Sequence, residues 1–88
     1  MIKYLVEFVG TFIFLSVIIT SGEAIPIGLT LAAVILFGGQ VSGGNFNPAV
    51  SISMMLNKKL SQIDTAGYIG AQLAGAVAAV MFVKSIKK

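Results

Sequence analysis

Three long apolar stretches organise the chain, at about residues 4–20, 25–41 and 65–83. Each is long enough for the ~17–25 residues that a helix needs to cross a bilayer. The first ends in the polar turn Thr20-Ser21-Gly22-Glu23. The second carries Pro26 in its first turn, where a missing N–H costs nothing, and its far end dissolves into Gly38-Gly39-Gln40. Before the third, Ser61 to Asp64 offer N-cap candidates and a first-turn acid; after it come Lys84, Lys87 and Lys88. A secretory signal is the competing reading of the first stretch, with Lys3 as its basic end and a cleavage site near Ala24. Glu7 interrupts the apolar core that such a signal requires, which favours a retained span.

Between the second and third stretches the pattern changes. Ser42-Gly43-Gly44-Asn45-Phe46 reads as loop, and Asn47-Pro48 reads as a helix start, with Asn as N-cap and Pro as first helical residue. A helix over about 47–57, ahead of Lys58 and Lys59, is about 15 Å long at ~1.5 Å per residue. That is half the hydrocarbon thickness, so the segment dips into a membrane without crossing it. Loop backbone at that depth is tolerated only where it packs against protein or lines a water-filled cavity. The expected fold is therefore all-α, three membrane spans plus one re-entrant half-helix, in a single unit over residues 1–88.

Composition agrees with a multi-pass integral membrane protein embedded in lipid. The 88 residues are 57% hydrophobic and 10% charged, with a mean hydropathy of +0.99. A soluble domain this small buries only roughly 60% of its unfolded surface and would leave many of these side chains in water. The net charge is +3, and all six basic residues are lysines at the edges of apolar runs. That placement flanks membrane spans and offers no aromatic-interleaved basic patch, so nucleic acid is not an expected partner. Cysteine and histidine are both absent. No metal cluster, nucleophile–base pair or phosphate loop is visible, so neither cofactor nor enzymatic activity is expected.

Three blocks in order carry a family resemblance: Glu7-Phe8-Val9-Gly10-Thr11-Phe12, Val41-Ser42-Gly43-Gly44-Asn45-Phe46-Asn47-Pro48-Ala49-Val50-Ser51, and Tyr68-Ile69-Gly70-Ala71-Gln72-Leu73-Ala74-Gly75-Ala76. Together they resemble the N-terminal repeat of the aquaporin, or major intrinsic protein, family. The resemblance implies a fold of two inverted repeats whose half-helix tips meet at the membrane centre, of which this sequence holds one. It implies a pore motif at Asn47, Pro48 and Ala49. There Asn47 would turn amide N–H groups into a lumen at the positive end of a helix dipole. The plainer reading of Asn47 is an N-cap, which uses its carbonyl oxygen and leaves the NH₂ free; the two are compatible. Pro48 and Ala49 would fix the helix start and let two tips pack. The carbonyls of Gly43, Gly44 and Asn45 would form a ladder of acceptors. Asn45 stands where the family often has His, which is expected to change a pore-lining donor.

Glu7 is a costly carboxylate within an apolar span and thus a candidate for function or architecture. The resemblance implies that it braces the loop by accepting backbone N–H groups; the alternative is an i,i+4 pair with Lys3. Gln72 is read similarly, as an interhelical hydrogen-bond donor or as polar glue. Gly70, Gly75 and the alanines of the third span form a small-residue face suited to close packing. Met54, Met55 and the first-span phenylalanines are read as lipid- or neighbour-facing filler. The resemblance also implies constriction positions at Ile27 and Val50, without the family's histidine and arginine.

The expected function is passive passage of water or small neutral solutes once two half-repeats have assembled. One half-repeat does not surround a lumen. An inverted homodimer, alone or within a higher oligomer, is the favoured closure. The lysines divide three and three between the two membrane faces, Lys3, Lys58 and Lys59 against Lys84, Lys87 and Lys88, which leaves no orientation bias. The alternatives are a hetero-pair with a separate chain carrying a second half-repeat, and a non-conducting membrane interaction protein.

Overall fold

A computed structural model describes residues 1–87 and contains four helices: α1 (Ile2–Ser21), α2 (Ala24–Ser42), α3 (Pro48–Leu56) and α4 (Gln62–Ile86). Lys88, counted above with the C-terminal lysines, lies outside the described residues. Helices α1, α2 and α4 are long and apolar enough to cross a membrane. Each outruns the apolar stretch that predicts it by one to three residues per end. Gly22 (φ 68°) closes α1 in the left-handed region, its N–H bonded to Ile18 O at 3.1 Å. At the start of α4, the Ser61 hydroxyl accepts from the Asp64 N–H at 3.0 Å.

Helix α1 lies between α2 and α4, while α3 packs on α4; among the described residues the bodies of α2 and α3 lie apart, and α2 reaches α4 at its last residue, where Tyr68 OH donates to Ser42 O. Contacts fix the directions. Tyr4 meets Tyr68 edge-to-face at 5.9 Å, and Phe12 meets Phe82 at 5.4 Å, so α1 and α4 run parallel. Lys3 Nζ donates to Asp64 Oδ2 at 2.7 Å, and Tyr4 OH donates to Asp64 Oδ1 at 2.7 Å, clasping the two helix starts together. Lys3 is therefore engaged with Asp64 and not with Glu7. Helix α2 returns antiparallel: Ser42, its last residue, bonds to Glu7 near the start of α1.

Helix α3 has nine residues, about 14 Å at ~1.5 Å per residue, and ends short of a crossing. It stops in a paired C-terminal turn, with Lys58 N bonded to Met55 O at 3.0 Å and Lys59 N to Met54 O at 2.8 Å. Lys58 (φ 63°) holds the left-handed position that glycine usually fills.

Close approach of α1 and α4 depends on Gly75. A Cβ there would lie 2.7 Å from Phe8 O and 3.2 Å from Phe12 N, both backbone atoms that cannot swing away. Gly70 differs, since a Cβ there would meet nothing within 4 Å. Only one of the two α4 glycines read from the sequence as a packing face is therefore a crossing point. Gly75→Ala is expected to destabilise the fold by about 1–3 kcal/mol through overpacking, while Gly70→Ala leaves stability unchanged or slightly raised. Unfolding by SDS in mixed micelles measures both.

Candidate functional site

The site starts where α2 stops. Gly43 (φ 91°) ends the helix with its N–H on Gly39 O at 2.8 Å, and Gly44 (φ 68°) donates to Ser42 Oγ at 3.2 Å. The next two N–H groups turn inward to α1: Asn45 N donates to Glu7 Oε2 at 3.1 Å and Phe46 N to Glu7 Oε1 at 2.8 Å. Ser42 Oγ donates to Glu7 Oε2 at 2.7 Å, and Gln72 Nε2, from α4, to Glu7 Oε1 at 2.8 Å. Glu7 has no exposed surface and thus receives four donors from α2, the loop and α4. Tyr68 OH adds a bond to Ser42 O at 2.6 Å.

The carbonyls behave oppositely. Those of Gly43, Gly44, Asn45 and Phe46 accept no hydrogen bond among the described residues, although every N–H of the same four residues is bonded. The donors of the segment are used within the chain, and its acceptors are not.

Phe46 sets the conformation of this segment. Its φ of 55° is in the left-handed region, which costs a non-glycine residue roughly 1–2 kcal/mol. The ring is 2% exposed and fills a notch at Gly10 and Gly38. A Cβ at Gly10 would run into the ring, and one at Gly38 would lie 3.2 Å from it and 2.7 Å from Val6 Cγ1. Two glycines on facing helices thus make room for one aromatic ring, and the two Glu7 bonds hold the turn that delivers it.

Asn47 is the N-cap of α3: its Oδ1 accepts from Ala49 N at 2.8 Å, and Pro48 follows as the first helical residue. The residue is exposed, and its Nδ2 has no protein partner among the described residues. Ala49 is exposed, and Pro48 and Val50 are half-buried. One turn into α3, Ser51 has no exposed surface, and its Oγ accepts from Asn45 Nδ2 at 3.0 Å and from Gln72 Nε2 at 2.8 Å.

Two expectations change. The Asn45 side chain is 7% exposed and turned onto Ser51, because the left-handed turn at Phe46 folds the loop back over α3; it is not a donor on the open face. Ile27 and Val50 do not meet within one chain. Ile27 sits in the first turn of α2, about 22 Å along the helix from Ser42 at ~1.5 Å per residue, and α2 and α3 are not in contact. Glu7, Asn45 and Gln72 do come together, joined by hydrogen bonds, at the loop that holds Gly43 and Gly44 and leads into Asn47, Pro48 and Ala49. The sequence reading missed Ser42, Ser51, Phe46 and Tyr68 as members of the cluster. Two signals were present: polar Ser51 in the most apolar part of a short helix, and Tyr68 four residues before Gln72 on the same helix face.

Residues 1–88 match the sequence profile of the family described as Major intrinsic protein. The chain belongs to that family. Among similar proteins, the Glycerol uptake facilitator protein-like 6 of Lactiplantibacillus plantarum is 45% identical over 93 residues, covering 94% of this chain and 43% of the relative. Aquaporin NIP3-1 of Arabidopsis thaliana is 36% identical over 98 residues, with 96% and 30% covered. The Lens fiber major intrinsic protein of Gallus gallus is 42% identical over 57 residues, with 65% and 22% covered. The chain thus spans less than half the length of these relatives. As a major intrinsic protein with three helices fit to cross a bilayer, it is an integral membrane protein.

Glu7→Gln tests the brace. The amide offers one acceptor oxygen and presents an NH₂ to donors that already point at it, so at least one buried donor loses its partner. An unsatisfied buried donor costs about 1–3 kcal/mol. Amide hydrogen exchange at Asn45 and Phe46 in bilayers is expected to quicken by roughly tenfold or more, with α4 amides beyond Gly75 much less affected.

Proposed function

We propose that this major intrinsic protein is a passive channel for water or small neutral solutes, in which the chain supplies half of the pore wall. The observation that carries this reading is the division of the loop backbone. Its N–H groups are consumed by Glu7, Ser42 and Gly39, and four consecutive carbonyls from Gly43 to Phe46 are left without partners. Backbone acceptors at membrane depth are tolerated only against protein or water. A row of them beside the exposed Asn47 amide, whose oxygen is already used as a cap, gives a passing water molecule acceptors for its hydrogens and a donor for its oxygen. The N-terminus of α3 behind Asn47 disfavours a cation at that point. The names of relatives, a glycerol uptake facilitator and an aquaporin among them, support the same class of solute.

The other wall comes from a second half-repeat. Helices α2 and α3 do not pack on each other within one chain, which leaves room for a partner between them. An inverted copy of the same chain is the favoured occupant. It would place a second Asn47 tip against the first and bring Val50 of one copy toward Ile27 of the other, giving a constriction with apolar side chains and no charge. Within these 88 residues the lysines divide evenly between the two faces, which permits insertion in both orientations. The length of the relatives favours a second reading: more than half of the glycerol facilitator lies outside the match, room enough for a separate half-repeat as partner.

Stopped-flow osmotic shrinkage of proteoliposomes holding only this chain is expected to exceed that of empty liposomes and to be altered by Asn47→Asp. A rate equal to empty liposomes, with insertion verified, leaves the separate partner or a non-conducting membrane protein. Paired cytoplasmic and periplasmic reporters fused after Lys88 are expected both to be active; a single active reporter removes the inverted homodimer.

A further inference from the structure

Four buried residues from four different segments close a ring of hydrogen bonds. Asn45 N donates to Glu7 Oε2, Gln72 Nε2 donates to Glu7 Oε1, and both Asn45 Nδ2 and Gln72 Nε2 donate to Ser51 Oγ. The loop, α1, α4 and α3 each contribute one member. Three members are the loop-bracing and loop positions already discussed. Ser51 is the fourth, and among the described residues it alone ties the first turns of α3 to the brace.

We propose that Ser51 is a positioning residue for the channel: by accepting from Asn45 and Gln72 together, its hydroxyl fixes the first turn of α3 and so the direction in which the Asn47 amide faces. This rests on the channel reading for its consequence, though not for its geometry. Asn47 lies between two anchored points. On one side the Asn45 and Phe46 N–H groups are held by Glu7; on the other, Ser51 N bonds to Asn47 O at 3.0 Å while Ser51 Oγ holds both neighbours. A hydroxyl carries two acceptor lone pairs, and these two donors use both. No apolar residue of similar size replaces that function. Ser51→Ala leaves two buried NH₂ groups short of an acceptor, whereas the cap from Ala49 N to Asn47 Oδ1 stays chemically possible. The variant therefore separates the orientation of Asn47 from the existence of the helix it caps.

The competing account is that Ser51 is interhelical glue, whose loss lowers stability without altering Asn47. The full chain in lipid bilayers decides between them by solid-state NMR of the Asn47 side-chain amide, beside water and proton permeability of the same samples. Ser51→Ala is expected to shift or broaden the Asn47 amide signal and to raise proton leak relative to water flow. Exchange of the Asn45 and Phe46 amides should quicken by about tenfold. Ser51→Thr, which keeps the hydroxyl, is expected to restore the wild-type signal. Asn45→Ala cuts one of the two bonds from the other side and is expected to reproduce part of the change, which keeps the test available if Ser51→Ala fails to fold. An Asn47 signal unchanged in the folded variants overturns the proposal and leaves the channel reading standing. A wild-type chain that conducts nothing on its own removes the self-assembled pore and leaves the separate partner or a non-conducting protein, while the amide signal still decides whether Ser51 orients Asn47.

Discussion

A carboxylate with no exposed surface and no cation against it is the interaction on which this structure turns. Glu7 lies within the first span, and the one ion pair among the described residues, Lys3 with Asp64, lies elsewhere. Burying such a group without compensation is prohibitive, and the compensation here is four donors aimed at two oxygens. They come from the end of α2, from the loop and from α4. A single side chain thus sets where α2 must end, which way the loop must turn and which face α4 presents. Lipid cannot drive helices together as water does, because acyl chains solvate Leu and Val as well as protein does. The polar cluster and the close glycine contact at Gly75 therefore carry a larger part of the tertiary specificity than they would in a soluble bundle.

The apolar lengths of the spans and the start of α3 were legible in the sequence because both are local: span length is a count, and Asn47-Pro48 carries its own capping chemistry. Facing was not legible. Helix α4 is apolar or small on nearly all sides, so no amphipathic stripe separates Gly75, which touches backbone, from Gly70, which faces open space. The pair Lys3–Asp64 joins residues 61 positions apart, whereas sequence proximity suggested Lys3 with Glu7. Asn45 was misjudged for a related reason. Its direction depends on the left-handed backbone at Phe46, and nothing in that residue type announces such a turn. It becomes intelligible only when Gly10 and Gly38, on two other segments, are seen to leave a notch for the ring.

The loop illustrates how a chain leaves backbone acceptors unpaired while using the donors beside them. Backbone carries donors and acceptors in equal number, so exposing one kind requires hiding the other. Gly43 and Gly44 supply two left-handed residues that turn consecutive N–H groups back toward Gly39 and Ser42, and Phe46 supplies a third beside the Glu7 brace. The side chains that take the donors are all oxygen acceptors, two carboxylate oxygens and a hydroxyl. The surplus of unpaired acceptors in the loop is therefore a consequence of the acidic brace behind it.

Polar clusters of this kind are weak sources of net stability, since apolar residues of equal volume often serve a buried position as well or better. That exchange is closed to this protein. An apolar side chain at position 7 would leave the Asn45 and Phe46 N–H groups with no partner, and no helix is available to absorb them because Pro48 and the left-handed Phe46 keep the segment out of helical geometry. The cost of the buried carboxylate and the irregular loop are thus one design. Removing the loop would make Glu7 a liability, and removing Glu7 would make the loop one. A segment whose backbone acceptors stay unpaired needs a buried acceptor behind its donors, and the position of Glu7 on α1 determines where along that helix the segment is held.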